Sequence, residues 1–146
     1  MKNKIASTVD FITKRYGTAD PKLLCEALGI KILGADLGGS VNGFFLSLSG
    51  RKAIVIDSEL KDEHQAYCIA HELGHAILHE NLNFTFLSSS TLFPIGKYER
   101  EADLFATYLI LGNPSQDGLY DQNLLTLSQS TCIPISAVRE WALASA

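Results

Sequence analysis

Apolar positions recur along the chain with two periods, and the changes of period mark its elements. Ile5, Val9 and Ile12 share one helix face, and Gly17 closes that run. Asp20-Pro21 then supplies an N-cap with proline at the first helical position. Leu23, Leu24, Ala27 and Leu28 form the stripe that follows, before Gly29 stops it. Ile30 to Leu33 reads as a short strand. Asn42 to Leu48 and Ala53 to Asp57 are clearer strands, joined through Ser49-Gly50-Arg51-Lys52 as a hairpin turn. The pattern turns helical again from about Lys61 to Glu80, with Asp57 or Ser58 placed to cap it. A loop-like stretch from Asn81 to Lys97 leads to a second apolar helix over about Tyr98 to Leu111. Two short helices are predicted near Asp121 to Gln129 and Ser136 to Ala144. A small antiparallel sheet packed against helices makes the expected class α+β.

Composition narrows this pattern without changing it. The 146 residues suit one domain with a real core, and 47% of them are hydrophobic, as in a globular protein. Gly38-Gly39, Ser88-Ser89-Ser90 and Gly112-Asn113-Pro114 are short enough to be loops inside that domain, so residues 1–146 are read as one unit, with the helices of about 121–146 packed on it. A net charge of −4 and no run of Lys and Arg argue against nucleic acid or an anionic membrane as the main partner. Cys25, Cys68 and Cys132 form no C-x-x-C pair, which fits reduced thiols better than disulfides or a thiolate metal site. With neither a signal-peptide pattern at the start nor a membrane-length apolar run, a cytoplasmic protein is expected.

The chemistry concentrates in His71-Glu72-Leu73-Gly74-His75, an H-E-x-x-H pentapeptide inside the predicted long helix. Residues four apart share a helix face, so the two imidazoles can converge on one ion. Glu72 lies about 100° round from His71, where its carboxylate reaches a metal-bound water without ligating the metal. Zinc lowers the pKa of such a water to about 7, and the glutamate takes its proton and later delivers it to a leaving amine. Ile69, Ala70, Leu73, Ala76, Ile77 and Leu78 surround the motif, so two histidines and a glutamate would be buried there and need partners.

His79 cannot join the same ion as both others, because residues eight apart on a helix are about 12 Å apart along its axis. It is expected at the helix end, charged and favoured by the dipole. His64 is expected in solvent, and Cys68 as a small buried hydrophobe. A catalytic zinc takes a third protein ligand and keeps one position open. That ligand is sought in Glu99-Arg100-Glu101-Ala102-Asp103. Glu99 and Asp103 share a face, so if Glu99 binds the metal, Asp103 is placed to accept from a ligating histidine. Glu101 points roughly 160° away from Glu99 and would replace it rather than assist it. Spacing favours Glu99 and leaves Glu101 open.

With both helices in view, the chain resembles the ImmA/IrrE-type metallopeptidases. The likeness runs from Leu28-Gly29-Ile30-Lys31 through Gly43-Phe44-Phe45-Leu46 and Ile54-Val55-Ile56-Asp57. It peaks at Ala70-His71-Glu72-Leu73-Gly74-His75 and resumes at Glu99-Arg100-Glu101-Ala102-Asp103-Leu104-Phe105-Ala106. The resemblance implies a zincin-like fold and a zinc or manganese ion held by His71, His75 and Glu99, with Glu72 catalytic and Asp103 behind a ligand. The family pattern has its metal-binding glutamate four residues before the Asp or Asn, which selects Glu99. The usual L-L-M-P ending is altered here to Leu109-Ile110-Leu111-Gly112-Asn113-Pro114, outside the metal site. The family includes proteases of phages and mobile elements that cleave a helix-turn-helix repressor. The chain's length places it nearer that compact type, so a repressor is the implied protein substrate.

Zincins hold their peptide as an added strand, and Gly43 to Leu48 is read either as the edge for it or as an inner strand. The stretch from Asn81 to Lys97, with Phe84, Phe86, Leu92 and Phe93, is read either as a lid or as a long loop pinned to the core. An oxyanion stabiliser is sought among Tyr98, Lys97, Arg100 and His79. Two rival readings stand beside the protease. Leu127 to Trp141 has a helix-turn-helix look, which suggests a DNA-binding regulator, but Arg139 is the one basic side chain from Asn113 onward. The other rival is a non-catalytic, antitoxin-like interaction protein that keeps the metal scaffold.

Overall fold

The computed structural model describes residues 3–80, 95–114 and 121–144. Two helices, α1 (Lys4–Tyr16) and α2 (Pro21–Ala27), precede three strands, β1 (Ile30–Ala35), β2 (Gly43–Leu48) and β3 (Arg51–Asp57). The helices α3 (Asp62–Leu78), α4 (Ile95–Leu111), α5 (Asp121–Thr131) and α6 (Ile135–Leu143) follow. The class is α+β. The stretch read as a lid or pinned loop lies mostly outside the described residues, which resume at residue 95.

Local chemistry explains the first elements. The Asn3 side chain accepts from the backbone N–H groups of Ile5 and Ala6 at 2.8 and 3.4 Å, and Gly17 closes α1 in the left-handed conformation with φ 70°. Asp20 caps α2 in the same way, accepting from Lys22 at 2.8 Å and Leu23 at 3.4 Å. The buried face of α2 differs from the predicted stripe. It is made by Leu24 and Cys25, while Leu23 is exposed, because a helix of 7 residues turns only one narrow ridge inward.

The sheet has the order β1-β3-β2. The hairpin forms as expected, with β2 antiparallel to β3, but β1 pairs parallel to β3. The sheet is therefore mixed rather than antiparallel throughout. β3 buries four consecutive residues, Ile54 to Asp57, and a strand so enclosed is paired along both edges. Ile32, Ile54 and Phe45 stand side by side across the three strands on one face, which leads into the core beneath α3. β2 is left at an edge of the sheet, beside α3.

α3 begins without the expected cap. Its N-cap is Lys61, which makes no side-chain cap bond, and Asp62 and Glu63 favour the helix dipole instead. Asp57 is buried and accepts from the Glu59 N–H at 3.1 Å, so it serves the turn that separates β3 from α3. α3 and α4 pack closely where Gly74 meets Phe105. A Cβ added at Gly74 would stand 3.1 Å from both Cβ and Cδ1 of a fully buried Phe105. Glycine costs a helix about 1 kcal/mol relative to alanine, and here it admits a ring that alanine would press upon.

The C-terminal helices share this core. α6 buries Ala137, Val138, Trp141 and Ala142, and Trp141 Nε1 donates to the Gly112 carbonyl at 2.8 Å, tying α6 to the end of α4. The face of the helix-turn-helix-like stretch that is richest in apolar residues is thus occupied by packing. Among the described residues no helix is long and apolar enough to cross a membrane.

Candidate metal centre

Every fourth residue of α3 from Tyr67 onward, ending at its C-cap, carries a ring: Tyr67, His71, His75 and His79. Successive ring centroids are 5.9, 4.8 and 5.3 Å apart. Period-four spacing makes this a row along one helix face. α4 lies opposite and presents Glu99, Glu101 and Asp103 to it.

The Nε2 atoms of His71 and His75 turn toward Glu99. His71 Nε2 is 3.1 Å from Glu99 Oε2, and His75 Nε2 is 3.0 Å from Glu99 Oε1. One ligand atom from each of the three residues lies within 4.8 Å of the others, a grouping that could hold a metal ion. Two imidazoles and a carboxylate are a donor set that suits zinc and the neighbouring divalent metals. Both histidine side chains are largely buried, while that of Glu99 is 47% exposed, so the group sits at the wall of the protein with access from solvent.

The outward nitrogens are held as well. His71 Nδ1 is 2.8 Å from Asp103 Oδ1, the arrangement expected if Glu99 is a ligand. Tyr67 donates its hydroxyl to the same Asp103 oxygen. His75 Nδ1 is 3.1 Å from His79 Nδ1, and His79 Nε2 is 3.0 Å from Glu101 Oε1. Glu101, left open as a replacement ligand by spacing alone, therefore stands against His79 and outside the converging group. His79 stands at the helix end as expected, but it is only 6% exposed. Burial pulls its pKa down against the hydrogen bond to Glu101, opposing the charge expected there.

The electrostatics follow from this packing. Burial opposes a charge on His71, but hydrogen bonds to Asp103 and Glu99 outweigh it and lift its pKa to about 10. Hydrogen bonds to His71 and His75 hold the Glu99 carboxyl far below the ordinary range. Burial raises Glu72, with His71 and His75 pulling the other way. The Glu72 carboxylate is left out of both hydrogen-bonded arms behind the histidines. Cys68 is buried beside the motif, and burial pushes its thiol up to about 12, consistent with an inert hydrophobe. His64 is partly exposed and stands 3.4 Å from Asn42 Nδ2.

Two of the oxyanion candidates are engaged elsewhere: His79 between His75 and Glu101, and Arg100 with Glu140 at 3.2 Å. Lys97 Nζ stands 5.7 Å from the Tyr98 ring, which packs edge-on against His79. Sequence alone does not disclose the role of Tyr67 or the contacts of His79 with His75 and Glu101, although the four-residue spacing from Tyr67 to His79 already puts these rings on one face.

The sequence profile of the IrrE N-terminal-like domain, peptidase family M78, matches residues 25–114, from α2 through the end of α4. The chain belongs to this family. It is also 36% identical over 107 residues to uncharacterized immunity region protein 2 of Bacillus phage phi105, covering 73% of this chain and 68% of that one. To the metallopeptidase ImmA of Bacillus subtilis it is 36% identical over 112 residues, covering 76% of this chain and 63% of the relative. No solved structure matches significantly. The matched region contains α3 and α4, so all of the polar side chains converging here belong to the part shared with the family.

Proposed function

We propose that this protein is a cytoplasmic, metal-dependent endopeptidase that cleaves a helix-turn-helix repressor, using zinc or manganese held by His71, His75 and Glu99. The observation that carries the reading is the convergence of both Nε2 atoms and the Glu99 carboxylate in front of an H-E-x-x-H helix. When bound, the ion supplies Lewis acidity, making water a nucleophile near neutral pH and polarising a peptide carbonyl. With their Nδ1 atoms engaged behind, His71 and His75 would be free to offer an Nε2 lone pair to the ion once it is bound. Glu72 accepts a proton from the attacking water on a carboxylate oxygen and returns it to the departing amine nitrogen. The edge of β2 that no other described strand pairs, beside α3, offers backbone hydrogen bonds to a substrate strand.

The repressor rests on relatives named for a phage immunity region and for a metallopeptidase. The test is incubation with a purified repressor encoded beside the gene, in the presence of zinc or manganese, for wild type and Glu72→Gln. The expected result is a discrete cut by wild type only, with metal retained in both. An intact repressor in every condition would remove the substrate assignment, and equal behaviour of the two proteins in repressor release would favour a non-catalytic interaction module.

A further inference from the structure

The row of rings on α3 extends one turn past the residues that the metal needs. We propose that His79 and Glu101 form a positioning dyad that fixes the tautomer and ring orientation of His75. The inference rests on the metal site proposed above and concerns how one of its ligands is held.

Proton bookkeeping gives a single consistent arrangement. A His75 Nε2 that faces the metal site must offer a lone pair, so the ring proton sits on Nδ1. That Nδ1 is 3.1 Å from His79 Nδ1, which must therefore accept. The His79 proton is then on Nε2, 3.0 Å from Glu101 Oε1, and a carboxylate can only accept it. Each donor meets an acceptor along the line, from Glu101 through His79 to His75. The reverse tautomer of His79 would set two N–H groups against each other at His75 and leave the carboxylate facing a bare nitrogen.

The position of His79 supports the same role. Its side chain is 3% exposed, and an imidazole so enclosed without oriented partners is costly. α3 ends at Leu78, and His79, at φ −128° and ψ 33°, leaves the helix while its N–H still bonds to the His75 carbonyl. Helix end and ring row thus coincide at one residue. The side chain reaches back to His75 and across to α4, where the Tyr98 ring packs edge-on at 4.7 Å. Partners of this kind behind a metal-binding histidine are worth about 10–100-fold in affinity.

The test measures zinc affinity by competition with a chromophoric chelator, and the visible absorption of the cobalt-substituted protein. Wild type, His75→Ala, His79→Phe, Glu101→Ala and Glu101→Gln are compared. His75→Ala is expected to lose stoichiometric binding. His79→Phe and Glu101→Ala should bind about 10–100-fold more weakly, with a shifted cobalt spectrum. Glu101→Gln should stay near wild type in both, because its carbonyl oxygen still accepts from His79 Nε2. Glu101 is partly exposed, so its variants remain informative if His79→Phe does not fold. Wild-type affinity and spectrum in His79→Phe and Glu101→Ala overturn the dyad alone. A glutamine variant as weak as alanine also overturns it, by making charge rather than orientation the cause. A wild type that binds no zinc overturns the site itself.

Discussion

His71 and His75 come from adjacent turns of one helix and face the same carboxylate, yet they are braced by different means. Behind His71 a carboxylate stands in direct contact at 2.8 Å, and a tyrosine hydroxyl donates to the same carboxylate oxygen. Behind His75 a second imidazole intervenes, and the carboxylate is one ring further away. The first arm puts negative charge against its histidine and, together with Glu99 and against burial, lifts its pKa to about 10. The second arm supplies direction through a neutral ring. Two histidines on one helix face can therefore both be held from behind while only one has a carboxylate in direct contact.

Removing a proposed ligand sets the scale of the comparison. His71→Ala and His75→Ala are each expected to abolish stoichiometric zinc binding by equilibrium dialysis, regardless of which arm stood behind. Shortening the arms separates them. Asp103→Ala should weaken zinc by about 100-fold and Glu101→Ala by nearer 10-fold, since only the first removes a charge in contact with its histidine. Equal losses would mean that the charge difference between the arms has no consequence for the metal.

The charged arm also carries a pH signature in the metal-free protein. His71 has a folded pKa of about 10 against an ordinary 6.5, so protonation favours the folded state. Its contribution is fully present below pH 6.5 and is lost as pH rises toward 10. Thermal melts in excess chelator should thus show Tm falling over that window, and Asp103→Ala should flatten the fall. An unchanged slope in the variant would detach the shift from Asp103.

Smaller effects come from further out. Tyr67→Phe removes a hydrogen bond to a carboxylate and should cost about 1.5–3 kcal/mol in denaturant unfolding, with zinc weakened only a few-fold. Gly74→Ala presses on Phe105 at the crossing of α3 and α4 and is expected to destabilise by about 1 kcal/mol, after the helix propensity gained by alanine offsets part of the strain. Because the crossing serves both arms, any loss of zinc affinity should not distinguish them.

The helices bearing the site were legible because their signals are local. The H-E-x-x-H spacing and the apolar residues around it place α3, and Glu99 with Asp103 places the opposite face of α4. The hairpin of β2 and β3 was legible for the same reason. The pairing of β1 was not, since a short apolar run such as Ile30 to Leu33 carries no mark of direction, and β3 draws it in parallel to cover its second edge. Asp57 reads as a helix cap until the turn at Leu60 intervenes. His79 and Glu101 escaped for a different reason. Helical distance keeps His79 apart from an ion that His71 and His75 would share, but a side chain too far to join them is near enough to contact His75. Which carboxylate of α4 meets which imidazole depends on how the two helices pack, and residue spacing within either helix does not contain that information.

The most direct measurement is anomalous diffraction at the zinc edge from crystals grown with zinc. The expected result is one ion about 2.0–2.1 Å from Nε2 of His71 and of His75 and about 2.0–2.2 Å from a Glu99 oxygen, with Asp103 and His79 still behind the rings. An ion bound instead through Glu101 or His79, or no anomalous peak between α3 and α4, would contradict the proposed centre.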